Sequence, residues 1–326
     1  MDKLDATIVI PTKNGGSAFR DVLDMIFKQK TEYRYEVICV DSGSTDETID
    51  IIKDFPCRLF QIKSEEFGHG KTRNYGASKG TGEFIVFITQ DALPASEEWL
   101  QNFIDAMKLD KEIAGGFGIH YPYPDCNLPD KLMLQRHFQN FGTENTIFQV
   151  EDQKKFQEDE GYRSYMSFFS DNNSCLRRSV WEKHPYKDVD FSEDQIWAKE
   201  ILALGYKKVY CPHAAVYHSH NYPLKSYLGR CFDEYRALYR LYGWKLAENW
   251  GQVLLGAIKG TLSDWRFIIH GGVSVPEKLG WMHYSLWRNV FKYIGAYQGA
   301  KFDSLPEKKQ EKMNKKLSQQ YKQRKA

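Results

Sequence analysis

Polar and acidic side chains follow three apolar runs of this sequence, at the point where each run ends. The runs are ATIVIP from Ala6, YEVICVD from Tyr35 and EFIVFI from Glu83. Fully apolar runs of this length are typical of strands that are buried on both faces of a parallel sheet. Ligands bind beyond the carboxyl ends of such strands, so the side chains there are candidates for one binding site. Those side chains are Pro11, Thr12, Asn14, Asp41, Ser42, Thr89, Gln90 and Asp91.

Asp91 has two interpretations at this position. It is either a ligand-binding carboxylate beyond a buried strand or the cap of a helix that Ala95 and Ser96 begin. Position alone favours neither. Asp41 and Ser42 equally suit a helix cap, and it is the grouping of three polar strand ends that favours a site.

The segment GHGKTRNYG from Gly68 combines glycines and the cations Lys71 and Arg73 with a following helix. Backbone N–H groups at a helix start and cationic side chains both stabilise anionic phosphates. The segment lacks the Gly-Lys-Ser/Thr order of a Walker loop. It therefore predicts a phosphate contact of another kind.

The elements that must position these residues alternate between strand and helix. Helical patterns start at Ser17 and Ser44, and a further strand, CRLFQI, starts at Cys57. Such alternation predicts right-handed crossovers and a mostly parallel sheet with flanking helices. The alternation ends after Ala114, and the polar stretch VEDQKKFQEDEG from Val150 predicts a surface loop or an insertion. A helix in FSEDQIWAKEILALG and two short strands around KKVYCP and AAVYHSH follow.

Beyond Pro223 the sequence becomes helical and aromatic. We expect an α/β domain over residues 1–222, with halves 1–112 and 113–222, an aromatic helical region over 223–300 and a basic tail over 301–326. The tail carries nine Lys or Arg residues and three acids, which is typical of an interaction arm.

Bulk composition excludes several classes of protein. The chain has 326 residues, of which 42% are hydrophobic, so it can bury a full core and is not disordered. Its six cysteines are scattered singly, which predicts free thiols in a cytoplasmic protein rather than a zinc or redox motif. No window approaches the roughly 20 apolar residues that span a bilayer, and no signal segment is expected, so the protein is predicted to be soluble or peripheral.

Several of these segments together resemble family 2 glycosyltransferases with the GT-A fold. PTKNGG, VDSGSTDET, RNYGASKGTGEFIVF and TQDALP are similar to the nucleotide-binding half of that family, and SEDQIWAKEILALGYKKVYCPHAAVYHSH to its acceptor half. TQDA and HSHNYPL are most similar to the bacterial rhamnosyltransferase branch. The resemblance runs from residue 6 to about residue 225.

The resemblance implies a donor site at the strand ends. Pro11, Thr12, Asn14, Asp41 and Ser42 would hold the nucleoside, Lys71 or Arg73 the diphosphate, and Gln90 and Asp91 the acidic metal motif. Oxygen ligands of that kind suit Mg²⁺ or Mn²⁺. Thr89 stands where the family's first acid is usual, so the metal would depend on Asp91 and on His218, with His220 a near competitor.

The resemblance also implies an acceptor site and an inverting reaction. Asp194, the second acid of the family's Glu-Asp motif, would be the general base, and Glu193 would support it. Alternatively, both acids only stabilise the helix dipole in the first turn of a helix. Phe169, Asp171 and Asn172 would contact the sugar or acceptor, although one of the two neighbouring phenylalanines is expected in the core.

The function that the resemblance implies is transfer of L-rhamnose from dTDP-L-rhamnose to a glycan or lipid-linked acceptor in bacterial surface polysaccharide biosynthesis. A UDP-hexose donor and a non-catalytic sugar-nucleotide-binding protein remain as alternatives. The aromatic helices and basic tail suit peripheral contact with the inner face of the cytoplasmic membrane, and equally a self-packed subdomain or a homo-oligomer interface. No nucleic-acid partner is expected, because no known binding motif is present.

Overall fold

The elements of the chain are taken from a computed structural model that describes residues 4–189, 191–270 and 272–323. The strands are β1 (Ala6–Thr12), β2 (Tyr35–Asp41), β3 (Cys57–Gln61), β4 (Phe84–Ile88), β5 (Leu93–Pro94), β6 (Ile113–Tyr121), β7 (Thr146–Phe148), β8 (Asn173–Arg177) and β9 (Lys207–Tyr217). The helices are α1 (Gly16–Phe27), α2 (Thr48–Lys53), α3 (His69–Lys79), α4 (Trp99–Lys108), α5 (Leu128–Gln139), α6 (Gln153–Glu158), α7 (Glu160–Ser167), α8 (Arg178–Trp181), α9 (Glu193–Ala203), α10 (Leu224–Tyr242), α11 (Trp250–His270), α12 (Val275–Lys301), α13 (Glu307–Lys316) and α14 (Gln319–Gln323).

The strands form one nine-stranded sheet in the order β3-β2-β1-β4-β8-β6-β9-β5, with β7 paired to β9. β3, β2, β1 and β4 are mutually parallel, and β6 is parallel to β9. β8 runs antiparallel to both of its neighbours, β4 and β6. The carboxyl ends of β1, β2, β4, β6 and β9 therefore meet the amino end of β8 at one edge of the sheet.

Both faces of the sheet are covered by apolar side chains, as the continuous apolar runs predict. Ile8 and Ile10 of β1 belong to one buried cluster, which includes residues of α1 and α4. Val9 belongs to a second cluster on the opposite face, which includes residues of α9. The alternation follows from the two-residue repeat of a strand.

Two predictions about local structure are wrong. The stretch from Val150 is not a loop, because it forms α6 and α7, whose first turns are capped by the side chains of Asp152 and Asp159. The two short strands predicted after α9 are one strand, β9, which contains Pro212. The pairing of β6 with β9 is irregular between Gly118 and His120, and this irregularity accommodates a proline that cannot donate a ladder hydrogen bond.

Two helix starts also differ from the predicted ones. α3 begins at His69, so Lys71 and Arg73 lie on the helix itself rather than ahead of it. Asp91 does not cap a helix at Ala95, because Leu93–Pro94 form β5 and α4 begins only at Trp99.

The chain divides into two compact units. The first contains the residues up to Tyr123 and Leu134–Ser219, and the second contains Pro124–Met133 and the residues from His220 onward. In the second unit, α12 packs against α10 and α11. A Cβ atom at Gly299 would lie 2.4 Å from the Phe232 carbonyl oxygen, so the glycine permits the close approach of α12 to α10. The last three residues of the predicted basic tail lie outside the described residues.

The predicted free thiols are confirmed, since all six cysteines are unpaired and five of them are buried. Among the described residues, the helices are too short or too polar for any of them to span a bilayer.

Candidate active site

The ends of β1 and β2 form a tightly bonded pair of turns at the edge of the sheet. The carboxylate of Asp41 is buried and accepts hydrogen bonds from the backbone N–H groups of Gly43 and Ser44, both at 3.0 Å, and from the Ser44 hydroxyl. Ser42 donates its backbone N–H to the Thr12 carbonyl over 2.9 Å. Asp41 therefore shapes the turn, and both of its oxygens are engaged before any ligand arrives.

Asn14 and Gln90 join the neighbouring strand ends to each other. The Asn14 side-chain oxygen accepts from the Thr45 backbone N–H over 2.8 Å, and Asn14 itself has a positive φ of 50°. The Gln90 amide accepts from the Lys13 backbone N–H at 2.8 Å and donates to the Lys13 carbonyl at 2.9 Å. Both polar atoms of Gln90 thus hold the loop after β1 against the end of β4. Pro11 lies half-buried in β1, opposite Val40.

A group of possible metal ligands lies where β4 and β9 end. His218 Nε2 is 3.6 Å from Asp91 Oδ1. His220, the other predicted candidate, belongs to the second unit. The Thr89 hydroxyl nearby is buried, with no hydrogen-bond partner among the described residues. Carboxylate oxygens suit Mg²⁺ and Mn²⁺, imidazole nitrogens suit divalent transition metals, and the Asp91 side chain is 44% exposed. The residues present therefore fit a divalent cation.

Three carboxyl groups and one guanidinium form a second cluster at the start of α9. Arg73 Nη1 donates to Glu193 Oε1 over 3.0 Å, and Arg73 Nε lies 3.6 Å from Asp171 Oδ2. Asp194 Oδ2 accepts from the Asp171 backbone N–H over 3.2 Å. Glu193 and Asp171 are buried, whereas Asp194 is half-buried. Asp194 is thus the most solvent-exposed acid of the three.

Burial raises the pKa of each of these acids. The pKa of Glu193 rises to about 7, because burial outweighs the opposing charge of Arg73. The pKa of Asp194 is raised well above its ordinary value by burial and then by the negative charges of Asp171 and Glu193. The pKa of Asp171 is raised by burial, against the effect of Arg73. A carboxylate with a raised pKa is a stronger proton acceptor, as a general base requires.

A single turn links this acid cluster to the end of β4. The Asp171 N–H donates to Asp194, and the carbonyl of the next residue, Asn172, accepts from the Thr89 N–H over 3.3 Å. Neighbouring peptide groups therefore fix the position of Asp194 relative to the Thr89–Asp91 segment.

Two further predicted site residues, Phe169 and Lys71, lie outside these two clusters. Phe169 is 1% exposed and packs against Phe117 and Trp197, so its ring belongs to the core and offers no face to a sugar. Lys71 is exposed on α3. Tyr186 could not be predicted as a site residue, because its partner lies on a different element. Its hydroxyl donates to Asp171 Oδ1 over 2.6 Å.

Comparison with known proteins identifies the family. Residues 7–183 match the family model for Glycosyl transferase family 2. The chain is 31% identical over 305 residues to the O-antigen chain rhamnosyltransferase RfbN of Salmonella typhimurium, covering 92% of this chain and 91% of that protein. It is 29% identical over 304 residues to the O-antigen chain rhamnosyltransferase WbaN of Salmonella anatum, covering 92% of this chain and 90% of that protein.

Solved structures show the same fold. The mannosyltransferase PcManGT from Pyrobaculum calidifontis, solved in complex with GDP-Man and Mn²⁺, has a TM-score of 0.54 at 17% identity, covering 99% of this chain and 83% of that chain. TarS 1-349 from S. aureus, in complex with UDP-GlcNAc, has a TM-score of 0.52 at 13% identity, covering 92% of each chain. These similarities confirm the predicted GT-A-like sheet with flanking helices. With its family match and its relatives of similar length, this chain is a glycosyltransferase that belongs to glycosyltransferase family 2.

Proposed function

We propose that the protein is an inverting glycosyltransferase that transfers L-rhamnose from dTDP-L-rhamnose to a glycan or lipid-linked acceptor of a bacterial surface polysaccharide. The observation that carries the reaction type is the half-buried Asp194, with its raised pKa, fixed beside the ends of the sheet strands. The rhamnosyl donor is supported by two relatives named O-antigen chain rhamnosyltransferases, each aligned over 92% of this chain.

In the proposed reaction, Asp194 accepts the proton of the acceptor hydroxyl while that oxygen attacks the anomeric carbon. The bond from that carbon to the donor phosphate breaks, and the nucleoside diphosphate leaves with the electron pair. One displacement inverts the anomeric centre and needs no covalent glycosyl-enzyme. Positioning of the two substrates supplies a large share of the rate.

The turns at Thr12–Asn14 and Asp41–Ser44 form the proposed nucleoside side of the site, and Lys71 is the exposed cation proposed to face the diphosphate. Asp91 and His218 would hold Mg²⁺ or Mn²⁺, which when bound neutralises charge on the diphosphate. Asn172, half-buried beside Asp194, is proposed to contact the acceptor or the sugar.

The test of the reaction compares Asp194→Asn with Glu193→Gln. Asn keeps the size of Asp194 and removes the proton acceptor, so we expect transfer to fall about 100-fold or more while nucleotide binding persists. The Glu193 variant is expected to lose less. Equal transfer by the Asp194 variant and the wild type would show that the base lies elsewhere, and nucleotide-sugar binding without any transfer by the wild type would favour a binding protein.

The donor is tested separately. The wild-type protein is mixed with Mn²⁺ and dTDP-L-rhamnose, UDP-glucose or GDP-mannose, and thermal unfolding is followed for each. A ligand that binds the folded state raises the unfolding temperature by mass action. The largest rise is expected with dTDP-L-rhamnose, and a larger rise with UDP-glucose would assign the donor to the UDP-hexose class.

The second unit is proposed to contact the inner face of the cytoplasmic membrane through α11. The exposed side chains of this helix include the cations Lys259 and Arg266, whereas its acid, Asp264, accepts hydrogen bonds from α12. Exposed apolar groups flanked by cations suit anionic lipid headgroups. The exposed large apolar side chains of α11 are Trp250, Leu254, Leu255, Ile258, Leu262 and Ile269.

Sedimentation with vesicles tests this contact. We expect binding to phosphatidylglycerol vesicles, weaker binding to phosphatidylcholine vesicles, and loss of binding for Leu254→Ser combined with Ile258→Ser. If the wild type ignores both vesicles and forms a dimer that the double variant lacks, the face is an oligomer interface instead.

A further inference from the structure

Arg73 is enclosed by protein groups rather than directed toward open solvent. It lies on α3 and is 4% exposed. Besides its ion pairs with Glu193 and Asp171, Nη1 donates to the His69 carbonyl over 3.3 Å and Nη2 donates to the Asp171 carbonyl over 3.4 Å. Nη1 and Nη2 therefore donate to oxygens of the protein, whereas Nε faces Asp171 Oδ2 at 3.6 Å with no hydrogen bond to any described residue.

Moving Arg73 onto a donor phosphate would break these pairs. Removing one member of a buried ion pair leaves the other charge buried without compensation, which is strongly unfavourable. Lys71 differs, because its side chain is exposed and residues two positions apart do not share a helix face. The two cations of this segment are therefore suited to different tasks.

The groups around Arg73 come from three parts of the first unit, which are α3 itself, the turn before β8 and the start of α9. Asp171 precedes β8 and also accepts from the hydroxyls of Ser174 and Tyr186, over 3.0 and 2.6 Å. Glu193 and Asp194 open α9, directly after Ser192. Because the Asp171 backbone N–H bonds to Asp194, a guanidinium that fixes Asp171 and Glu193 also restrains the acid between them.

We propose that Arg73 is a positioning residue for the transfer reaction: it clamps Glu193 and Asp171 on either side of Asp194, and it does not bind the donor diphosphate. The inference rests on the proposed function, in which Asp194 is the base. The inference also gives Arg73 an electrostatic role, because its positive charge compensates the negative charges of Glu193 and Asp171 near Asp194. Its positive charge opposes the effect of burial on the pKa of Glu193 and of Asp171.

The test uses the full chain with Arg73→Lys and Arg73→Gln, and Lys71→Gln as the matched variant on the same helix. Calorimetry with Mn²⁺ measures the Kd of whichever of dTDP, UDP and GDP the wild type binds most tightly. Transfer is then measured as kcat from pH 5.5 to pH 9. We expect both Arg73 variants to keep the Kd within about twofold, and Lys71→Gln to weaken it.

We expect Arg73→Gln to lower kcat at neutral pH by about tenfold or more and to move the acidic limb of the kcat profile to higher pH. The reason is that loss of the cation raises the pKa of the nearby acids, so the base ionises later. Arg73→Lys should show a smaller movement, since it retains the charge without the planar fork. If Arg73→Gln does not fold, the Kd and the pH profile of kcat are judged from Arg73→Lys instead.

The proposal would be overturned if the Arg73 variants bind the nucleoside diphosphate tenfold or more weakly while their kcat profile keeps the wild-type pH dependence. That result would show that Arg73 binds the diphosphate. Thermal unfolding without ligand supplies a readout that does not depend on transfer. Arg73→Gln should lose more stability relative to the wild type as pH rises, because the buried acids then ionise without their counter-charge, and a pH-independent difference would also overturn the clamp. If the wild type transfers no sugar, the proposed function fails, and the Kd and unfolding data still judge whether Arg73 clamps the acids.

Discussion

Glu193→Gln should make the stability of this protein less sensitive to pH. Glu193 is buried, and its pKa rises from 4.5 to about 7 on folding. An acid with a raised pKa in the folded state costs nothing below about pH 4.5, where it is protonated in both states. The cost grows as pH rises and is complete above about pH 7, where the folded protein must also ionise the group.

The size of the effect follows from that change in pKa. At about 1.4 kcal/mol for each tenfold change in a proton equilibrium, the rise from 4.5 to about 7 corresponds to about 3 kcal/mol. Most of this cost develops between pH 5 and pH 8. Gln cannot ionise, so the free energy of unfolding of the variant, relative to the wild type, should increase by roughly 2 to 3 kcal/mol over that interval. The ion pair of ionised Glu193 with Arg73 is already included in the pKa of about 7, and a pH-independent offset from the packing of Gln does not change the slope.

Urea denaturation at pH 5, 6, 7 and 8 measures the free energy of unfolding of both proteins. The difference between them is the informative quantity, because other groups titrate in the same interval. His120, for example, is buried with its pKa held well below the ordinary value, so it makes the wild type more stable as pH rises. If the difference between variant and wild type is constant from pH 5 to pH 8, Glu193 is not a buried acid with a raised pKa and our account of the cluster is refuted.

Other substitutions test the remaining parts of the site. Asp91→Ala should abolish the tightening of nucleoside diphosphate binding by Mn²⁺ with little change in unfolding, and equal calorimetric Kd values with and without Mn²⁺ in the wild type would contradict this. Gln90→Ala should lower the free energy of unfolding by about 1 to 2 kcal/mol, since two hydrogen bonds to Lys13 are lost; an unchanged urea midpoint would contradict it. Gly118→Ala should cost about 3 kcal/mol, because the added Cβ would lie 2.0 Å from a backbone carbonyl oxygen. Wild-type stability in that variant would show that β6 and β9 are less closely packed.

The strand ends could be predicted from the sequence because the signal is local. β2 has the predicted limits, Tyr35–Asp41, since an unbroken apolar run is followed at once by turn-forming residues. The start of α9 was equally visible in its acids and its apolar spacing. α6 and α7 were missed because the segment is polar throughout, although Asp152 and Asp159 stood in N-cap positions that mark each helix.

The partners of the site residues could not be predicted, because they depend on contacts between distant parts of the chain. Arg73 suited a phosphate contact from its glycine-rich surroundings, yet its ion-pair partner Glu193 is 120 positions away. Gln90 was predicted as part of the acidic metal motif, but its side-chain amide bonds to the backbone of Lys13, 77 positions earlier. Local residue types indicate where a site lies, and only packing decides which side chains remain available to a ligand.

Backbone conformation gives independent support for the two halves of the site. The non-glycine residues with positive φ among the described residues are Asn14 at 50° and Ser192 at 64°. This conformation is uncommon for such residues, and it persists where surrounding contacts over-determine it. Asn14 is held by its bonds to Ser44 and Thr45. Ser192 directly precedes the ion-paired Glu193, and its buried hydroxyl has no hydrogen-bond partner within the part of the chain that the structure describes. Because surrounding contacts must hold such a conformation, its presence at these two turns is consistent with the proposal that they position a nucleoside and a general base.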